Sequence, residues 1–434
     1  MILVYSKNIS SRLQYTLNLI FKEVLDIAFN ITDDYNLFIR SDAIRINYSD
    51  KKIENIFQII PSGLLVEKGI RELSFQSDKW KDIPTLFANI HSDLPFDLFS
   101  AAFFLVTRYE EYLPYQPDKH GRFEASQSLA WKNGFLHLPV VDLWCRQFAR
   151  ELGIEKESKG IRPTNYCFQL TIDVDQAWYY KNKGFLRTTG GLIKNILKLD
   201  FSEFAMKMSV LAGYKNDPAD TFNYLGDIRH KLSGGIKYFI LSGKRGQFDH
   251  NPSIHNKNFR KLIRELTESD IVGIHPSYAS YNSYSQLKNE YKNLSEIIQK
   301  KVRISRQHFL RLRLPETYRD LIKLEIEEDY TLGYGSQSGF RAGIARPFNF
   351  YDLIAEEQTN LRIVPFQVMD RTLLSYMKLT PDKAIGEIDY YTKTIKEVGG
   401  LFVSLWHNDH LNNDGEWKGW RMVFEEMINK NANS

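Results

Sequence analysis

Cysteine is nearly absent from this sequence. Its two cysteines, Cys145 and Cys167, are too few for a disulfide framework in 434 residues, and they lack the CxxC spacing of a redox or metal motif. No apolar run approaches the ~20 residues that span a bilayer, so no integral membrane segment is predicted. The first residues, MILVYSKNISSRLQ, lack the basic region and the cleavage pattern of a signal peptide. A cytoplasmic location is therefore expected.

An excess of charge of one sign is also missing. The 57 Lys and Arg residues against 53 Asp and Glu residues leave a formal net charge of +4. Nucleic-acid-binding domains usually carry a strongly basic face or stripe, and this sequence shows none. Nucleic acid is therefore not an expected partner. The length is sufficient for two domains that each bury a core of their own.

The chain is predicted to consist of two domains, residues 1–160 and 161–434. The first mixes short apolar runs with one amphipathic helical segment, FDLFSAAFFLVTRYEEYL, and is predicted to form a small α/β domain. It contains no cluster of His, Cys, Asp or Glu that is typical of chemistry. The stretch EKESKGIRP, residues 155–163, is polar and contains Gly and Pro, so it is predicted to be the linker.

From residue 161 onward, short β-rich runs alternate with helical segments, which is typical of repeated βα units. The predicted strands cover residues 166–172, 236–242, 271–274, 302–305, 329–334, 361–366 and 401–406. In a β/α barrel the C-terminal ends of the parallel strands converge on one mouth. The polar residues that follow these runs are Asp173, Asp175, His275, Arg306, His308, Asp370 and His407. Residues about 230 positions apart can thus share one site.

The motif LTIDVDQAW places Asp173 and Asp175 on the same side of a strand, so one carboxylate can bind a metal while the other accepts a proton. Taken alone, the motif is more typical of a solvated strand end at which an aspartate caps the next helix. In combination with His275 and His407, it predicts metal-assisted hydrolysis. A divalent ion activates water, a carboxylate takes the proton, and an imidazole protonates the leaving group.

At these residues the sequence resembles the polysaccharide deacetylases, a carbohydrate esterase family with a distorted seven-stranded β/α barrel. TIDVD is similar to the first motif of the family, GIHPSYAS to the second, SRQHFLRLRLPETY to the third and LWHND to the last. The resemblance implies that Asp173 is the base and that Asp175 and His275 are metal ligands. It also implies that Arg306 orients the base and that His407 is the acid. GIHPSY, RQHFLR and GFRAGIARPFNFYD are similar to an atypical branch with an extra N-terminal domain of unknown function.

The sequence departs from the family in two motifs. One residue separates the two aspartates, which are usually adjacent, and Ala279 stands where the second motif has its second histidine. We therefore predict that His308 completes a metal site with Asp175 and His275, because the fourth strand adjoins the third. Catalytic zinc commonly takes three protein ligands plus water, and zinc is the expected divalent metal. His410 is the rival ligand, and packing beneath the site is the alternative role for His308.

Further residues are candidates for substrate binding. Arg341 and Arg346, in GFRAGIARPF, can hold an anionic sugar or a phosphate, or they can tie their loop to carbonyl groups and a carboxylate. The other candidates are Tyr278, Asp370 and Trp406. The stretch LSGKRGQFDHN, after the second strand, lacks the spacing of a phosphate loop and is predicted to be a loop at the rim of the site.

The sequence thus predicts a metal-dependent hydrolase that removes an acetyl group, most simply an N-acetyl group, from a sugar or glycan precursor. The expected substrate is a carbohydrate linked to a nucleotide or a lipid. Two alternatives stay open. In the first, the same fold hydrolyses a non-sugar amide. In the second, the chain is a non-catalytic glycan-binding protein whose metal site has decayed, as Ala279 would indicate.

Overall fold

A computed structural model of the chain describes residues 1–75, 78–154 and 166–432. It shows a mixed α/β protein with a large central sheet of nine strands, a smaller sheet of four strands and a two-stranded ribbon. The predicted linker, residues 155–163, and the predicted boundary after residue 160 lie outside the described residues. No helix in the described part of the chain combines the length and the apolar character needed to cross a bilayer.

The small sheet is parallel and lies in the N-terminal part of the chain, with the order β2-β1-β3-β4. Its strands are β1 (Ile2–Tyr5), β2 (Phe29–Thr32), β3 (Ile44–Asn47) and β4 (Phe57–Gln58), and the ribbon is formed by β5 (Asp78–Trp80) and β6 (Ile83–Thr85). The helices are α1 (Ser11–Leu17), α2 (Tyr35–Arg40), α3 (Leu98–Val106), α4 (Leu129–Lys132) and α5 (Val140–Glu151).

Helix α3 occupies the middle of the segment that was predicted to be amphipathic. It begins after Asp97, whose side chain accepts a hydrogen bond from the backbone N–H of Ser100 at 3.1 Å. Every residue of α3 is buried, so the prediction of an amphipathic helix is wrong. A helix that is apolar on all sides belongs inside a core rather than on its surface.

The large sheet has the order β12-β13-β11-β10-β9-β8-β7-β15-β14, and all of its pairs are parallel except β12 with β13. Its strands are β7 (Cys167–Val174), β8 (Ile236–Leu241), β9 (Ile271–His275), β10 (Ile304–Ser305), β11 (Glu328–Asp329), β12 (Phe348–Asp352), β13 (Glu357–Ile363), β14 (Val368–Met369) and β15 (Leu401–His407). Each of the seven predicted strands overlaps one of these. Strands β12 and β14 were not predicted.

Helices separate most of the parallel strands, as the alternating pattern predicted. They are α6 (Phe185–Leu197), α7 (Phe201–Leu211), α8 (Phe222–Arg229), α9 (Lys257–Ser269), α10 (Tyr284–Ile298), α11 (Glu316–Lys323), α12 (Pro381–Val398) and α13 (Trp420–Asn431). Helix α9 shows why such segments fold. Asn256 caps its first turn, and Phe259, Leu262, Ile263 and Leu266 are buried on one face at helical spacing.

The segment 357–369 contacts both ends of the large sheet. The backbone N–H of Val364 donates to the carbonyl oxygen of Asp329 at 2.8 Å, on the β11 side. The N–H of Gln367 donates to the carbonyl oxygen of Val403 at 3.2 Å, and β14 then pairs with β15. The sixth predicted run therefore lies next to the fifth, and the residues that follow it, through β14, lie next to the seventh.

Candidate metal centre

The candidate residues meet at the C-terminal edge of the large sheet. In the parallel register, His407 at the end of β15 pairs with Asp173 near the end of β7. Ser305 of β10 pairs with Ile274, the residue before His275 in β9. Because all these strands run in the same direction, the residues that follow them lie along one edge.

Asp175, His275 and His308 form a group whose potential ligand atoms all lie within 4.8 Å of one another. Nε2 of His275 is 3.1 Å from Oδ1 of Asp175, and Nε2 of His308 is 3.3 Å from Oδ2 of the same carboxylate. Both histidines are buried, whereas Asp175 is partly exposed. A carboxylate and two imidazoles are therefore grouped at a point that solvent can reach.

In both histidines Nδ1, the ring nitrogen that does not face Asp175, contacts a hydrogen-bond acceptor. Nδ1 of His275 lies 2.6 Å from the backbone carbonyl oxygen of Arg306, and Nδ1 of His308 lies 2.8 Å from Oδ1 of Asp249. Carbonyl and carboxylate oxygens only accept hydrogen bonds, so we infer that both Nδ1 atoms carry protons, and both Nε2 atoms face Asp175. Metal-binding histidines are commonly oriented in this way.

The charges and the donor atoms fit a divalent cation. Oδ1 of Asp175 is buried and accepts no hydrogen bond from any described residue, as expected beside rings protonated on Nδ1. Burial opposes its charge, but His308 and His275 hold the pKa of Asp175 well below its usual range. Burial also opposes the charge of His308, yet Asp175 and Asp249 raise its pKa to about 9. The group thus attracts positive charge, and its oxygen and nitrogen donors suit zinc.

A buried arginine holds Asp173 beside this group. Nη1 of Arg306 donates to Oδ1 of Asp173 and to Oγ1 of Thr171, both at 2.8 Å, and its Nε donates to the carbonyl oxygen of Tyr330 at 2.9 Å. The other carboxylate oxygen, Oδ2 of Asp173, lies 3.7 Å from Nε2 of His275. One oxygen of Asp173 is therefore fixed by a cation, and the other faces the candidate ligands.

His407 also lies near Asp175, with 3.8 Å between its Nε2 and Oδ2 of that carboxylate. Its Nδ1 is 2.9 Å from Oδ1 of Asp370, and its backbone N–H donates to Oδ2 of Asp370 at 2.8 Å. Burial disfavours the imidazolium, but Asp370, Asp175 and Asp173 raise the pKa of His407 to about 10. Asp370 therefore orients a protonated ring toward the centre of the site.

Asp370 also accepts a hydrogen bond from His410, whose Nδ1 is 2.8 Å from Oδ2. The side chain of Asp370 is fully buried, and the two histidines occupy its oxygens. The prediction that Asp370 contacts the substrate is therefore wrong. His410 stacks on Trp417 with ring centroids 3.8 Å apart. Asp370, His407 and His410 form a second group of potential ligand atoms within 4.8 Å of one another.

Trp406 is also misassigned as a substrate contact. Its side chain is fully buried, and its ring lies edge-on to Phe424 of α13 with centroids 5.0 Å apart. Successive residues of a strand point to opposite faces, so Trp406 points to the helix layer when His407 points to the site. Tyr278 contacts the surroundings of the site. Its backbone N–H donates to Oδ1 of Asp249 at 2.9 Å, and its ring centroid lies 4.3 Å from that of Phe248.

Each of the two arginines of GFRAGIARPF forms an ion pair with a carboxylate in the N-terminal part of the chain. Arg341 is buried, and its Nε and Nη2 donate to the Glu111 carboxylate at 2.9 and 2.7 Å. Arg346 donates to Asp142 at 2.8 Å and to the carbonyl oxygen of Val398 at 2.8 Å. The prediction that these arginines bind substrate is wrong, and the alternative of a loop tied to a carboxylate describes them.

Replacing Glu111 by Gln is expected to lower the free energy of unfolding by about 3–5 kcal/mol. Glu111 also accepts a hydrogen bond from Arg108 at 2.8 Å, so the change leaves the buried Arg341 without a carboxylate partner and Arg108 with Glu110 alone. Urea unfolding would measure the loss. Asp389→Asn is the matched control, because its partner Lys430 is half exposed and such pairs contribute about 0–1 kcal/mol. Equal losses in both variants would contradict the expectation.

One residue of the site was missed. Asp249 lies in the loop after β8, is buried, and orients His308 while accepting the N–H of Tyr278. The sequence carried a signal for it, because a carboxylate in a loop that follows a parallel strand has access to the same edge as the other candidates.

Comparison with known proteins gives distant similarities. A family of unknown function, DUF7033, matches residues 2–155. A probable polysaccharide deacetylase from Pseudomonas aeruginosa PAO1 is 8% identical with a TM-score of 0.40, over 62% of this chain and 86% of that one. The polysaccharide deacetylase Bc1974 from Bacillus cereus is 11% identical with a TM-score of 0.30, over 61% and 88%. BA3943 from Bacillus anthracis, a CE4 family pseudoenzyme, is 12% identical with a TM-score of 0.29, over 62% and 63%. No curated protein matches the chain.

Proposed function

We propose that this protein is a metal-dependent hydrolase that removes an acyl group, most simply an N-acetyl group, from a sugar derivative. One observation carries the proposal. The group of Asp175, His275 and His308 lies close to a carboxylate held by an arginine and to an imidazole held by an aspartate. Hydrolysis with a metal requires these three parts: ligands, a proton acceptor and a proton donor.

The proposed roles follow from the atoms that face one another. A divalent cation, zinc by its donor set, supplies polarisation of the acyl carbonyl and a water of lowered pKa when it is bound. Oδ2 of Asp173 accepts the proton of the attacking water, while Arg306 keeps the carboxylate in place through Oδ1. Nε2 of His407 donates a proton to the departing nitrogen, while Asp370 keeps the ring oriented.

The architecture proposed for this function is a seven-stranded barrel over residues 161–434, closed by the segment 357–369. The hydrogen bonds from Val364 to Asp329 and from Gln367 to Val403 support closure, because they join that segment to β11 and to β15. Residues 1–160 form the separate N-terminal domain in this proposal. The family match over residues 2–155 ends near that boundary and supports it.

The choice of a sugar as substrate rests on the four motifs that resemble the polysaccharide deacetylases. A non-catalytic glycan-binding protein is the second candidate, and Ala279 favours it because a motif histidine is missing there. The position of His308 argues for activity, since its Nε2 lies 3.3 Å from Asp175 and can fill the vacant ligand role.

The deciding experiment combines metal analysis with a screen for acetate release. Purified protein, loaded with zinc and freed of excess metal, would be incubated with nucleotide-linked and lipid-linked N-acetyl sugars and with small non-sugar amides. We expect about one zinc per chain and acetate release from sugars that stops on chelation. Bound zinc without turnover of any compound would support the non-catalytic candidate, and turnover of the small amides alone would reassign the substrate.

His407→Ala is expected to impair the hydrolysis of amides far more than that of activated esters. An amine needs a proton to depart, whereas a nitrophenolate leaves without one, and loss of a general acid typically costs ~10²–10⁴-fold. Rates on an N-acetyl sugar and on 4-nitrophenyl acetate would be compared, with zinc content unchanged. Equal losses on both substrates would show that His407 only positions another group.

A further inference from the structure

A cavity of about 690 Å³ lies beside the candidate metal centre. It opens between the loop after β8 and the first turns of α10, and Arg187 from α6 reaches its wall. Lys244 and Arg245 also line it. Within the described part of the chain, none of these three cations forms an ion pair. The cavity therefore holds a surplus of positive charge beside a proposed active site.

Arg187 and Arg245 of this cavity lie close enough to influence each other and the nearby Lys183. Burial, Arg187 and Arg245 together lower the pKa of Lys183 to about 8. Burial and Arg245 likewise lower the pKa of Arg187. The loop that carries Lys183 is fixed, because the carbonyl oxygen of Asn182 accepts a hydrogen bond from the side chain of Asn256 at 2.8 Å. Clustered cations repel one another, so an anion bound among them would be stabilised.

Glu290 is the one acidic residue among those that line the cavity, and its carboxylate is already engaged. It accepts the backbone N–H of Ser277 at 2.9 Å, the hydroxyl of Ser277 at 2.6 Å and the amide of Gln286 at 3.1 Å. It therefore does not pair with the cations. It also joins the cavity wall to Ser277, which lies two residues after the candidate ligand His275.

The loop after β8 forms a second connection to the metal centre. Lys244 and Arg245 line the cavity, and Asp249 in the same loop orients His308. Two hydrogen bonds stabilise the loop internally. The N–H of Gly246 donates to the carbonyl oxygen of Asp249 at 3.0 Å, and the side-chain amide of Asn251 donates to the carbonyl oxygen of Gly243 at 2.9 Å. The cation cavity and the metal centre thus share two structural elements.

We propose that this cavity binds a phosphate or diphosphate group of the substrate, so that the hydrolase acts on a phosphate-linked acylated sugar. Arg and Lys side chains are the usual ligands of phosphate oxygens. The volume lies in the range of ~300–1,000 Å³ that ligand cavities occupy, which leaves room beyond a single phosphate. The assignment of the anion to the substrate rests on the proposed function, whereas the anion site itself does not.

Anion binding can be measured without metal and without turnover. Chelator-treated, desalted protein would be titrated with sodium pyrophosphate in a calorimeter, and we expect saturable binding at one site. The double variant Lys244→Ala with Arg245→Ala should weaken binding by about 10-fold or more for each charged contact that is lost. Arg187→Ala, on a different element, should weaken it in the same direction.

The matched control is the double variant Lys301→Ala with Arg303→Ala. These two residues are exposed, lie just before β10 and pair with Glu325 and Glu327. It should bind pyrophosphate like the wild type. Thermal unfolding would verify that every variant is folded. Absence of saturable binding, or equal weakening in both double variants, would overturn the proposal. Persistent binding in a protein that releases no acetate would reject the proposed function and leave the anion site standing.

The source of the phosphate can be resolved with two further titrants. Uridine diphosphate and farnesyl diphosphate carry the same diphosphate group on a nucleoside and on a lipid chain. Tighter binding of one than of pyrophosphate would assign the substrate to that class. If acetate release is found, the Lys244 and Arg245 double variant should raise KM for the phosphate-linked sugar and leave KM for a neutral N-acetyl sugar unchanged. Equal KM changes for both sugars would contradict the assignment.

Discussion

Asp173→Asn is expected to lower turnover by a factor of about 10² or more while the protein retains its zinc. The amide oxygen can still accept the hydrogen bond that Nη1 of Arg306 donates at 2.8 Å, so the local structure should persist. The amide nitrogen cannot take a proton from water. Turnover of the best substrate and zinc content by elemental analysis would be measured on the same preparation.

The matched variant is Asp175→Asn, two residues further along the same segment. Oδ1 and Oδ2 of Asp175 are the oxygens nearest to Nε2 of His275 and of His308, so this change should release the metal. The two variants would then fail for different reasons. Loss of zinc from Asp173→Asn together with its retention in Asp175→Asn would reverse the two roles.

The sequence predicted the large parallel sheet well because the rules behind it are local. Short apolar runs that alternate with helical segments give βα units, and each predicted run overlaps an observed strand from β7 to β15. The convergence of Asp173, His275, His308 and His407 followed from one further rule, that parallel strands place their ends on one edge. Strand β14 has only two residues, and β12 is antiparallel to β13, so it lies outside the alternation of βα units.

The misassigned residues depended on contacts between distant parts of the chain. Arg341 pairs with Glu111, 230 positions away, and no local pattern in either segment specifies the other. Asp370 was placed correctly at a strand end, but its two histidine partners could be recognised only once the strands were paired. Trp406 differs, because the alternation of the strand by itself places it and His407 on opposite faces.

The cation cavity also lay beyond sequence reasoning. Lys244 and Arg245 stand in a loop that lacks the phosphate-loop spacing, and Arg187 comes from a helix more than 50 positions earlier in the chain. Only the structure shows that these three side chains line one cavity. An anion site whose residues come from separate elements has no contiguous sequence motif, whereas a phosphate loop has one.

His308→Ala is expected to lower the affinity for zinc by more than about 100-fold, and acetate release with it. Loss of a residue that merely supports a ligand costs ~10–100-fold, so loss of a ligand should exceed that range. The reason is the position of Nε2, 3.3 Å from Asp175, with Nδ1 held by Asp249. Zinc affinity would be measured by competition with a chromophoric chelator, and Asp249→Asn should give the smaller loss.

His410→Ala is the control that separates the two candidate third ligands. Its Nδ1 is 2.8 Å from Asp370 and its ring stacks on Trp417, so its removal should leave zinc bound by Asp175 and the two histidines beside it. If His410→Ala loses the metal and His308→Ala keeps it, the ion belongs to the group formed by Asp370 and its histidines. If both variants keep it at wild-type affinity, neither histidine replaces the one absent at Ala279, and the proposed ligand set fails.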